Sequence, residues 1–144
     1  MYKKILVPLD GSLLAEAALT YAEEIAKTEG AEIIILRVPD HIEPKFPIHA
    51  YVKSLRQQRE TDEEAEEYVN EKVAELSAEH IDTQGITREG PVMEAILAVA
   101  EETHADMITL STHGWKGLQR LLKGSVAEEV VRNAHIPVIV IHPN

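Results

Sequence analysis

The stretch STHGWKGLQRLLKGS, residues 111–125, gathers three of the chain's seven glycines, Gly114, Gly117 and Gly124, where an apolar run ends and a helical pattern begins. A glycine just ahead of a helix lets an anion approach the backbone without meeting a Cβ, and the unsatisfied N–H groups of the first turn point at it. Gly124, with the hydroxyl of Ser125 beside it, therefore has the make-up of a phosphate socket. Gly114 leaves the preceding strand end free to turn or to lie close against a ligand. The same residues carry a second reading: SVAE (125–128) is a capping box, in which Ser125 and Glu128 only start a helix.

A second loop, VPLDGS (7–12), places Asp10 directly after the first apolar run. A carboxylate there can accept hydrogen bonds from ribose hydroxyls or an exocyclic amine. Asp-Gly-Ser is equally an ordinary turn, with Ser12 capping the following helix.

What is missing narrows the chemistry. A Walker loop needs Lys after its last glycine, and here Lys123 precedes Gly124, which excludes a conventional P-loop NTPase. No G-x-G-x-x-G follows the first strand, against a standard dinucleotide fold. The absence of cysteine removes disulfides, thiolate metal sites and thiol nucleophiles. The histidines at 41, 49, 80, 104, 135 and 142 lack ligand spacing, so no metal site built from side chains alone is expected. A divalent cation such as Mg²⁺ or Mn²⁺ would ride on the phosphates of a bound nucleotide. No water-activating base and no arginine aimed at a γ-phosphate is evident near these loops, so turnover is expected to be slow or nil.

The elements that must position the two loops follow from hydrophobic patterning. Five apolar runs read as strands, at 3–9, 31–38, 80–87, 106–112 and 137–142, and the unbroken runs Ile33 to Leu36 and Val138 to Ile141 suit parallel strands covered on both faces. Between them, residues 12–29 set Ala15, Leu19, Ala22, Ile25 and Ala26 on one helical face. The charged segment 56–80 carries one stripe of Ala65, Val69, Val73 and Leu76. Residues 91–103 carry Val92, Ile96, Leu97 and Ala100 behind a Pro91 suited to a helix start, and a last helix holds Val126, Val130, Val131 and Ala134. Strict β-α alternation with right-handed crossovers predicts an open parallel sheet between helix layers. Ligands then gather beyond the carboxyl ends of the strands, after Leu9, Val38, Thr87 and Thr112. The segment PDHIEPKFPIHAY (39–51), with three prolines, is a long connection on that side, either a lid or a plain surface excursion.

A chain of 144 residues with 44% hydrophobic content supports one core, so a single domain over residues 1–144 is expected. A net charge of −11 disfavours nucleic acid and anionic membranes as partners. No apolar run nears the roughly 20 residues of a membrane span, and the start MYKKILVPLDG is too soon interrupted for a signal peptide, so a cytoplasmic location is expected.

With KILVPLDGS at one end and STHG, nine residues, GSVAEEVVRNAHIPVIVIH at the other, the chain resembles the universal stress protein family along essentially its whole length. The resemblance implies a three-layer α/β/α sandwich around a five-stranded parallel sheet of order 3-2-1-4-5, of the adenine nucleotide α-hydrolase-like class. Nucleotide-binding members use G-x-x-G-x9-G-[ST]. On that pattern the implied site comprises Pro8, Leu9, Asp10 and Ser12 on the first loop, Val38 beside the adenine, and Ser111, His113, Gly114, Gly124 and Ser125 with the N–H groups of Val126 and Ala127 at the phosphates. Ser111 departs from the pattern, standing where its first glycine falls; a position demanding positive φ would strain a serine. The implied function is a module holding ATP, ADP or AMP with little or no hydrolysis. The alternative is a dimeric adaptor of the same fold that binds no nucleotide. An uncharged edge strand, Val138, Ile139, Val140 and Ile141, points to a homodimer in either case.

Overall fold

The computed structural model describes residues 2–39, 61–112 and 126–142. Strands β1 (Lys4–Leu9), β2 (Glu32–Arg37), β3 (Thr83–Thr87), β4 (Met107–Ser111) and β5 (Val138–Ile141) alternate with helices α1 (Leu13–Glu29), α2 (Asp62–Ala78), α3 (Val92–Thr103) and α4 (Val126–Asn133). All neighbouring strands are parallel, in the order β3-β2-β1-β4-β5, as the resemblance implies.

The period-2 geometry of the strands splits their apolar side chains between two cores. Ile5, Val7, Leu9, Ile33 and Ile35 pack with Ala15, Leu19 and Ala22 of α1 and with Val69 and Leu76 of α2. Leu6, Ile34, Leu36 and Ile108 face Ile96 and Val99 of α3 and Val126 and Val130 of α4. The central strands therefore read as unbroken apolar runs because both faces are covered. β5 reads the same way in sequence, yet each of its four residues is only half-buried, because it lies at the sheet edge.

Several boundaries shift from expectation for local reasons. β3 starts at Thr83 instead of 80, since His80 takes a left-handed φ of 65° and its N–H closes the end of α2 on the Ser77 carbonyl. Of the charged segment 56–80, α2 takes Asp62–Ala78, started by a capping box between Thr61 and Glu64; residues 56–60 lie outside the described residues. Pro91 stands one place ahead of α3, with ψ 138°, not inside it. Val131 is 52% exposed, not on the inner face, because it follows Val130 by about 100° around α4, whose core-facing residues are Val126, Ala127 and Val130. The connection 39–51 lies outside the described residues but for Pro39.

One glycine marks a close approach. A Cβ built at Gly85 would overlap Val69 Cγ1 and come within 3.0 Å of Val73 Cγ2, so α2 lies directly on the backbone of β3.

Candidate functional site

The pairing between β1 and β4 shows where the sheet opens. It covers only Ile5↔Met107 and Leu6↔Ile108, whereas β1 and β2 stay in register from Lys4↔Glu32 to Leu9↔Arg37. The Lys4 carbonyl accepts from the Asp106 N–H on the β4 side, and the Lys3 carbonyl accepts from the Glu32 N–H on the β2 side. Alternation along the strand then turns the Pro8 nitrogen toward β4. Proline has no N–H to donate, so the ladder cannot continue there. The strand order reverses between β1 and β4, the position at which open α/β sheets bind ligands.

Asp10 directly follows β1 at this switch point and is 1% exposed. Its Oδ1 accepts from the Ser12 N–H at 2.9 Å and from the Ser12 hydroxyl at 2.6 Å. Between them Gly11 adopts φ +89°, a conformation that a side chain would strain. Ser12 also caps α1, accepting from the Ala15 N–H at 3.1 Å, so its hydroxyl serves to orient Asp10 and to start the helix. Asp10 Oδ2 is buried and has no hydrogen-bond partner among the described residues. An acceptor in that state calls for a donor from outside the described residues.

Arg37, the last residue of β2, is also 1% exposed. Its Nη1 donates to the Val38 carbonyl at 2.8 Å and makes a long 3.5 Å contact to the Leu9 carbonyl, tying together the ends of β1 and β2. Sequence reading passed over it, although a cation closing a strand buried on both faces is the kind of residue that seldom goes inside without a purpose. Its charge and that of Asp10 are both felt at Tyr68 of α2. There, burial first and the hydrogen bond to Glu16 second push the phenol well above its ordinary pKa, Asp10 adding to the rise and Arg37 opposing it. Tyr68 donates to Glu16 Oε2 at 2.9 Å, and Lys72 Nζ lies 2.8 Å from Glu16 Oε1, so α1 and α2 are joined by polar contacts below the site.

Of the expected site residues, the fold brings Pro8, Leu9, Asp10, Ser12 and Val38 to the carboxyl ends of β1 and β2, with Ser111 at the carboxyl end of β4. Ser111 lies in extended strand, paired with Ile141, so the backbone there makes no demand for glycine. Val126 and Ala127 form the first turn of α4 with their side chains in the core, which leaves only their N–H groups for a ligand. His113, Gly114, Gly124 and Ser125 lie outside the described residues. Among the described residues, no three His, Asp or Glu side chains come together as a metal site, and no helix is long and apolar enough to cross a membrane.

Comparison with known proteins gives a consistent result. Universal stress protein MJ0531 of Methanocaldococcus jannaschii is 37% identical over 143 residues, spanning 98% of this chain and 82% of that protein. The solved structure of MJ0577 from the same organism superposes with a TM-score of 0.79 at 32% identity, covering 100% of this chain and 98% of that one. The universal stress protein from Archaeoglobus fulgidus in complex with dAMP superposes with a TM-score of 0.66 at 25% identity, covering 97% and 98%. The sequence model of the Universal stress protein family matches residues 1–142, and with these relatives it establishes that the chain belongs to that family.

Proposed function

We propose that this chain is a stress-response module that binds an adenine nucleotide, ATP, ADP or AMP, in the crevice between β1 and β4, with little or no hydrolysis. The observation that carries the reading is Asp10, whose buried Oδ2 has no donor among the described residues at the switch point of the sheet. A ribose hydroxyl or exocyclic amine supplies one, and the relative in complex with dAMP supports an adenylate as its source. In this reading the phosphates extend toward the amino end of α4, where the Gly124-Ser125 step and the N–H groups of Val126 and Ala127 receive them. Any Mg²⁺ or Mn²⁺ is held through the phosphates and water.

Trp115, the only tryptophan, lies inside the glycine loop and serves as the reporter. Titration with ATP is expected to change its fluorescence saturably, and Gly124→Val, which puts a branched side chain where the phosphate would lie, is expected to remove the response. A saturable change that survives Gly124→Val would overturn the proposed phosphate seat.

The same module is proposed to be a homodimer through β5. Val138, Ile139, Val140 and Ile141 are half-buried at an edge with no charged residue among them, and such an edge is a template for pairing. Light scattering at micromolar concentration is expected to give twice the chain mass, and Val140→Glu to give the monomer. A wild-type monomer at that concentration would refute the dimer.

A further inference from the structure

A groove runs alongside α3. It encloses about 860 Å³ and is floored by Met93, Leu97, Ile108, Ala134 and Ile136. Met93 and Leu97 sit one turn apart, half-buried against the second core, and the groove runs from them to His104 at the end of α3. From Met93 to His104 the helix rises about 16 Å, some three turns. The rim is acidic. Glu94 and Glu101 are exposed, both border the groove, and neither forms an ion pair with a cation among the described residues. Seven residues apart on one helix, they stand two turns, or about 10.5 Å, from each other on the same side.

We infer that this groove receives an amphipathic helix of a partner protein, its apolar face on Met93, Leu97 and Ile136 and its lysines or arginines, two turns apart, opposite Glu94 and Glu101. Helices dock in apolar grooves through residues at the i, i+4 and i+7 positions, and the groove has the length for those three anchors. Charge selects the occupant. The two exposed carboxylates on the rim favour a basic segment at this groove and oppose an acidic or phosphate-bearing one there.

The test uses the full chain and a fluorescein-labelled peptide of leucine and lysine, about 18 residues long so that it can form helix. A second peptide of the same composition, scrambled to destroy the apolar face, controls for charge alone. Fluorescence anisotropy at physiological salt is expected to show the patterned peptide binding about tenfold or more tightly than the scrambled one. Amide resonance shifts should be confined to α3 and residues 133–136. The double variant Glu94→Lys, Glu101→Lys, whose changes are on the surface, is expected to weaken binding about fivefold or more, the scale of two screened ion pairs. Leu97→Asp, checked for folding by circular dichroism, is expected to weaken it about tenfold or more through loss of the apolar floor. Equal binding of the two peptides, shifts centred elsewhere, or full affinity in the surface double variant would each overturn the inference. So would a wild-type dimer that Leu97→Asp converts to monomer, since the groove would then belong to a second copy.

Discussion

Asp10→Asn is expected to lower adenylate affinity by about ten- to a hundredfold while leaving the fold intact. The side chain does two jobs with two oxygens. Oδ1 holds the Asp-Gly-Ser turn through the Ser12 N–H and hydroxyl, and asparagine keeps an oxygen for that purpose. Oδ2 is the buried acceptor with no partner among the described residues, and asparagine puts an amide donor in its place. A ligand hydroxyl or amine then loses a hydrogen bond to a charged group, worth about 1.5–3 kcal/mol. Isothermal titration of AMP or ATP against the two proteins, with thermal unfolding as the control, measures both halves of the expectation. Unchanged affinity would show that the ligand does not reach Oδ2, and would remove the main support for the proposed site.

The second large effect concerns stability. Gly85→Ala is expected to destabilise the protein by about 1–3 kcal/mol, the usual cost of overfilling a packed interior, and Gly85→Val by more. The new Cβ would collide with Val69 Cγ1, and Val69 is held in the core with a stiff, β-branched side chain in a helix, so it cannot swing aside. Relief must then come from moving α2 off β3. Val69→Ala removes the nearer obstruction, leaving Val73 Cγ2 at 3.0 Å, and the double variant Gly85→Ala, Val69→Ala is expected to be more stable than the sum of the single losses predicts. Urea denaturation of the four proteins gives the coupling directly. Additive losses would mean that α2 and β3 are not in the tight contact described.

How legible these features were in the sequence depended on what kind of signal each one left. The strands and the helix faces were legible because burial repeats with the period of the element, as in Ile33 to Leu36 and in Ala65, Val69 and Leu76. The strand order came from the family resemblance, since no periodicity encodes which strands are neighbours. Gly85 carries no signal of its own within the third run, and only the approach of α2 gives it a purpose. Asp10 was singled out from its place after an apolar run, but the division of labour between its two oxygens is a matter of turn geometry. Arg37 was missed because its contacts are with backbone carbonyls of Leu9 and Val38, which leave no side-chain signature. The partial exposure of β5 was also hidden, for an edge strand and a central strand can share one composition.

The short seam between β1 and β4 has a mechanical meaning. With backbone pairing only at its amino end, Ile5 with Met107 and Leu6 with Ile108, the two halves of the sheet are kept together toward the carboxyl end by apolar packing on the faces, Val7 and Leu9 in one core and Leu110 in the other. Side-chain packing yields to small displacements more readily than a continuous ladder does. The carboxyl end of this seam therefore parts at lower cost than the neighbouring one, where β1 and β2 stay laddered from Lys4 to Leu9.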